Sequence, residues 1–236
     1  MSTQLAYYFA HLDDFPFPGW FDGLTRTWEP LEKASAFLDT LLVKPDVRAM
    51  HGEAKGEVHF HGNYYVGAGT VLYDDVTVIG PAYIGENCEI MPGALIRPGT
   101  ILGNNCGVGH GSEVKHCVVM NGAKIASLAF AGDSVLGRSA RLGSGVITAN
   151  RKFDQSNATL RTDGGKMDLG ASFFGCILGD YSRLGANAVA QPGTHIGPYT
   201  WVFPLTNVRG FIPRQKRVWS EEKIAMAENE IVELKP

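Results

Sequence analysis

The chain contains no run of about twenty apolar residues, so no membrane-crossing helix is expected. Met1 to Ala10 lacks a basic region followed by an apolar one, which argues against a secretory leader. Cysteine is scarce, with four in 236 residues and no CxxC pair. That usage fits reduced thiols in a cytoplasmic protein better than a disulfide framework. Charge is sparse too. With 19% charged residues and a net charge of −3, there is no global electrostatic case for nucleic acid or a membrane surface as partner. Glycine is the exception: there are 29, spread at regular intervals, as tight turns repeated along a chain require.

That regularity is a repeat. From Val66 an aliphatic residue returns every six positions, at Leu72, Val78, Ile84, Ile90, Ile96, Leu102, Val108 and Val114. Gly follows several of them (Gly67, Gly85, Gly103, Gly109), and a small residue often stands four positions on (Thr70, Cys88, Ala94, Cys106). The frame slips by one residue before Val119 and Ile125, and again before Leu136 and Leu142. It resumes later at Leu178, Leu184, Ala190, Ile196 and Val202. One inward aliphatic per short strand, a small residue at the crowded corner and a turn residue after it describe a triangular coil. Successive coils then stack through backbone hydrogen bonds at about 4.8 Å. A β-sandwich would instead show period-two alternation in strands of varied length. The expected fold class is therefore an all-β solenoid of hexapeptide repeats.

Three regions break the pattern. Leu31 to Leu42 reads as a helix with Thr27 near its N-cap and Pro30 in the first turn. Ser220 to about Leu234 reads as a second helix with acids in its first turn. Either helix would serve as a cap on the solenoid or as a subunit contact. Between Asn150 and Cys176 the repeat vanishes, which predicts a loop extruded from one corner. Its Arg151, Lys152, Arg161 and Lys166 either meet ligand phosphates or are solvated. The expected organisation is a helical segment over 1–50, a β-helix over 51–210 with the loop at about 151–176, and a helical tail over 211–236.

From about Asn87 to Val208 the chain resembles the C-terminal acetyltransferase domain of bifunctional sugar-1-phosphate nucleotidylyltransferase/acetyltransferases. The residues that carry the likeness are Arg97-Pro98-Gly99, Gly111 to Lys115, Gly132 to Gly137, and Leu142-Gly143-Ser144-Gly145-Val146-Ile147-Thr148-Ala149-Asn150. Trp28 to Leu42 and Trp201 to Gly210 look like a stand-alone branch of that family. No Gly-rich phosphate loop of the uridylyltransferase type appears at the N-terminus. The resemblance implies a left-handed parallel β-helix and a homotrimer with an active site between subunits. It also implies acetyl-CoA as co-substrate, and an amino sugar phosphate (glucosamine 1-phosphate-like) or nucleotide sugar as acceptor. It places sugar-phosphate contacts on Arg97 and Lys115. It places acetyl-CoA contacts on Ser144, Asn150, Arg151, Ala186 and Pro204.

The same alignment exposes departures. The family's catalytic His falls on Ser127, its following Tyr on Phe130, and a sugar-contact Asn on Arg141. A serine hydroxyl cannot take a proton from an ammonium group near neutral pH, so the usual general base is missing. By register His110 shares a column with Ser127 and Ser144, which makes it the candidate replacement; otherwise it is a histidine satisfied by polar neighbours. The two functional readings are an acyl-CoA-dependent transferase and a non-catalytic relative that keeps the ligand pocket. His59 with His61 and His110 with His116 are only scattered pairs, so no metal site is expected. Cys88 and Cys106 should stack in the core as small hydrophobes. His116, Asp133 and Asn150 should lie in successive coils, with a His–Asp contact that is either structural or catalytic.

Overall fold

In the computed structural model the described residues are 3–43, 49–162 and 165–221. The repeat builds three parallel sheets, one per face of a triangular coil. Face one has nine strands, from Glu53–Lys55 through Gly107–Val108 and Lys124–Ile125 to Arg217–Val218. Face two has eight, from Val58–His61 through Glu113–Lys115 and Phe130–Gly132 to Asn207–Val208. Face three has eight, from Tyr64–Val66 through Val118–Val119 to Phe211–Ile212.

The inward aliphatics fill the prism. Leu72, Ile90, Val108, Ile125, Leu142, Leu184 and Val202 form one buried column, paired coil to coil. The frame slips leave the stacking intact: Val108 still pairs with Ile125, and Val119 with Leu136. Leu136 pairs with Leu178, so the long loop leaves one coil and the chain re-enters the next in register. Small inward residues sit at the corners. Cys88, Cys106, Cys117 and Cys176 are all buried and free. Burial pushes the Cys176 thiol up to about 12 and the Cys117 thiol higher still, so neither is a reactive thiolate.

Glycine is indispensable where coils touch backbone to backbone. A Cβ on Gly109 would sit 2.5 Å from the Ala126 carbonyl carbon of the next coil. The left-handed corner positions are filled mostly by Gly and Asn. At the corner between faces three and one, however, Tyr181 and Tyr199 take φ of 58° and 57° and stack at 5.0 Å.

The N-terminal segment lies along a flank of the prism rather than over an open end. Face three turns an apolar column outward: Tyr83, Ile101, Val118, Val135, Ile177 and His195. Leu5, Tyr8, Phe15, Leu31, Ala34 and Leu38 cover it, forming a second core outside the prism. The helix runs over Glu29–Leu41 with Pro30 in its first turn, but Thr27 does not cap it. Its hydroxyl is fully buried against His195 Nε2 at 2.9 Å, and the Glu29 carboxylate instead accepts from the Thr25 and Arg26 amides. Asp180 ties the segment down by accepting from the Ala10 amide at 2.7 Å.

The extruded loop joins the same layer. It carries a hairpin, Thr159–Thr162 with Gly165–Asp168, and buries Ala158, Leu160, Leu169 and Phe174 on face three. The β-helix also continues past residue 210, with Phe211–Ile212 and Arg217–Val218 extending two faces where a helical tail was expected from 211. The helix expected from Ser220 lies, beyond Glu221, outside the described residues. Among the described residues no helix is long and apolar enough to cross a membrane.

Candidate active site

The residues singled out by sequence fall into three groups. The first is a column at the corner between faces one and two. Strand register stacks Pro92, His110, Ser127, Ser144, Ala186 and Pro204 one coil above another, each two residues beyond an inward aliphatic. The exposed His110 ring turns toward the preceding coil, where Nδ1–H donates to the Pro92 carbonyl at 2.8 Å. That bond assigns the proton to Nδ1 and leaves Nε2 as an acceptor, the tautomer a general base requires. Ser144, Ala186 and Pro204 line a groove of about 400 Å³ together with Arg141, Arg183, Trp201 and Phe203.

The second group gathers at the corner between faces two and three, around Asp133. Its carboxylate is buried and accepts from three side chains of neighbouring coils: Lys115 Nζ at 3.0 Å, His116 Nδ1 at 2.9 Å and Asn150 Nδ2 at 2.6 Å. Burial alone would raise this carboxyl. The hydrogen bonds from His116, Lys115 and Asn150 override it and hold the group below its usual range. His116 and Asp133 both adopt left-handed φ, 49° and 46°, at a corner where Gly99 precedes them and Gly175 and then Gly193 follow. Phe173 from the loop closes over the cluster, 4.4 Å from Lys115 Nζ and 4.7 Å from the Arg151 guanidinium. Gly132 holds Phe130 and Asn150 close, since a Cβ there would lie 2.6 Å from the Phe130 ring and 2.7 Å from Asn150 Nδ2. Arg97, one coil before Lys115, is paired with Glu113 at 2.6 Å.

Arg141 stands apart in a third place, on the outer surface of face one, stacked between Lys124 and Arg183. Within one chain the width of face two separates the His110 column from the Asp133 cluster. Sequence reading placed Asp133 one coil from both His116 and Asn150, and the structure brings the three together. Of face one's outward column only Arg141 was singled out from the sequence; Lys124, Arg183 and Trp201 were not, although a Lys or Arg recurs just before successive inward aliphatics. Among the described residues no group of three or more His, Cys, Asp or Glu is placed to hold a metal ion.

Comparison with known proteins bears on the family of the chain. Residues 78–192 match the family described as the GMPPB C-terminal domain. The bifunctional protein GlmU of Methanococcus vannielii is 31% identical over 206 residues, which cover 87% of this chain and 48% of that protein. A bifunctional sugar-1-phosphate nucleotidylyltransferase/acetyltransferase of Sulfurisphaera tokodaii is 29% identical over 190 residues, 80% of this chain and 46% of that one. The chain thus spans about half the length of these relatives. Among solved structures, the UDP-N-acetylglucosamine acyltransferase of Francisella novicida is 16% identical with a TM-score of 0.40, covering 70% of this chain and 65% of its own. The chain is a relative of the acetyltransferase domain of the bifunctional sugar-1-phosphate nucleotidylyltransferase/acetyltransferases, a left-handed parallel β-helix of hexapeptide repeats.

Proposed function

We propose that the protein is an acyl-CoA-dependent transferase that acylates the amino group of a sugar phosphate or nucleotide sugar. The observation that carries this reading is the Asp133 cluster, which holds Lys115 and Asn150 in fixed positions beside Arg151. In the family resemblance these are ligand contacts. The acyl donor lies along the groove of Ser144, Ala186 and Pro204. In the reaction the acceptor's neutral amine attacks the thioester carbonyl, so a C–N bond forms and the C–S bond breaks. The proton released from nitrogen passes to His110 Nε2 and then to the departing CoA thiolate. The His110 column and the Asp133 cluster lie on opposite edges of face two, so a complete site takes one from each of two neighbouring subunits of a cytoplasmic homotrimer.

The loss of the family's His and Tyr at Ser127 and Phe130 supports a second reading, a sugar-phosphate or nucleotide-sugar binding relative without chemistry. Calorimetric titration with acetyl-CoA tests the first reading. Saturable binding that weakens in Asn150→Ala is expected, and no binding of acetyl-CoA would overturn the transferase assignment.

A further inference from the structure

His116 and Asp133 stand where the backbone suits glycine. Their φ values of 49° and 46° fall at a corner where Gly99 and Gly193 turn the chain the same way, at 79° and 82°. A side chain in that conformation is strained, and such strain collects where the side chain is needed for something other than the turn. The His116 ring lies against Gly99: a Cβ on that glycine would be 2.6 Å from His116 Cδ2 and 3.3 Å from Ser35 Oγ of the helix.

The two cationic side chains of the cluster hold opposite oxygens of one carboxylate. Asp133 Oδ2 accepts from Lys115 Nζ at 3.0 Å and from Asn150 Nδ2 at 2.6 Å, whereas Oδ1 accepts from His116 Nδ1 at 2.9 Å. The Asp133 side chain is 5% exposed, that of Lys115 23% and that of His116 29%, so the anion is buried and both donors reach solvent. With Lys115 charged and His116 neutral, the three together carry no net charge. The other charged groups around them have partners of their own. Arg97 pairs with Glu113 at 2.6 Å, and Arg151 donates to Gln155 at 2.8 Å. On the helix face that carries Ser35, one turn to either side, stand the exposed acids Glu32 and Asp39, whose sign favours a proton on His116.

A ligand phosphate at Lys115 draws Nζ away from Asp133. A buried carboxylate stripped of its cation is costly. His116 already touches the other oxygen, and histidine is the side chain that gains charge near neutral pH. We propose that His116 is a positioning residue that takes up a proton from solvent when a ligand's phosphate draws Lys115 off Asp133. Nε2 receives the proton and Nδ1–H stays on Oδ1, so Asp133 remains compensated and keeps Asn150 in place. The ligand half of this rests on the reading of Lys115 as a contact for the acceptor's phosphate; the exchange of Lys115 for charged His116 at Asp133 does not.

Calorimetric titration with glucosamine 1-phosphate and with UDP-glucosamine, in two buffers of different ionisation enthalpy at pH 7.5, counts the protons taken up. Up to about one per subunit is expected, and affinity should fall by up to about tenfold per pH unit as pH rises, because the complex holds the extra proton. The ligand's own phosphate also titrates, but its share persists in His116→Gln, whose amide still donates to Asp133. The excess in the parent is the histidine's. A second measurement needs no ligand. The His116 imidazole, assigned by the NMR signal that His116→Gln loses, should take up its proton at higher pH in Lys115→Gln than in the parent. Equal proton uptake by the parent and His116→Gln overturns the proposal, and so does an imidazole that titrates alike with and without Lys115. A shifted imidazole with no binding of either ligand sustains the exchange at Asp133 and removes only the reading of Lys115 as an acceptor contact.

Discussion

His195 should make the outer layer acid-labile. Its ring is fully buried between the N-terminal segment and the loop, edge-on to Tyr8 at 5.8 Å and parallel to Phe174 at 5.9 Å. Nδ1–H donates to the Gly193 carbonyl at 3.0 Å, and Nε2 accepts the Thr27 hydroxyl at 2.9 Å. Both bonds suit the neutral ring, and burial pushes its pKa down to about 4. An unfolded histidine titrates near 6.5. The folded pKa is depressed, so the stabilisation is fully present above pH 6.5 and declines as pH falls toward 4. Between pH 7.5 and pH 5 the difference amounts to about 2 kcal/mol, rising to about 3 kcal/mol once the folded value is passed. Urea unfolding at pH 7.5, 6.5, 5.5 and 5 measures it, and comparison with a His195 variant removes the share of carboxyls such as Asp180, which burial raises. Glutamine at this position can still donate to Gly193 and accept from Thr27, so His195→Gln should be uniformly less stable but lose the histidine's share of the pH slope. Equal slopes in the two proteins would show that His195 is not the group being titrated.

Three further expectations follow from named contacts. Gly109→Ala drives a methyl into the backbone at Ala126 and Ser127, so a fall in stability of about 1–3 kcal/mol is expected, read as a lowered urea midpoint. Asp133→Asn removes a buried carboxylate that three side chains share; it should cost about 3–5 kcal/mol and weaken acetyl-CoA binding, and a variant as stable as the parent would remove Asp133 from its organising role. If sites form between subunits, light scattering at micromolar concentration should return about three times the 25.5 kDa chain mass, and a monomer would contradict the shared-site proposal.

The prism was legible in the sequence because its rule is local. Each coil repeats the same inward aliphatic, so even the frame slips could be followed from Val114 to Val119 to Leu136. The Asp133 cluster was legible for the same reason, since coil length places His116, Asp133 and Asn150 in neighbouring coils. What escaped notice depends on the outward residue. On face three that residue is apolar coil after coil (Tyr83, Ile101, Val118, Val135, Ile177), whereas on face one, from the coil of Lys124 onward, it is charged or aromatic (Lys124, Arg141, Arg183, Trp201). A covered flank and an open one were thus written in the same repeat, one residue before the inward position. Thr27 was misassigned because a hydroxyl two residues before a helix looks like a cap; its true partner, His195, is 168 positions away and no local rule finds it.

On the proposed function this β-helix transfers an acyl group with His110 as its base. The most direct measurement is release of free CoA thiol from acetyl-CoA in the presence of amino sugar phosphates and nucleotide amino sugars. It is made on the unaltered protein, on His110→Ala and on Ser127→His. Acceptor-dependent release that His110→Ala abolishes while acetyl-CoA still binds is expected. Release appearing only in Ser127→His, or undiminished in His110→Ala, would contradict it.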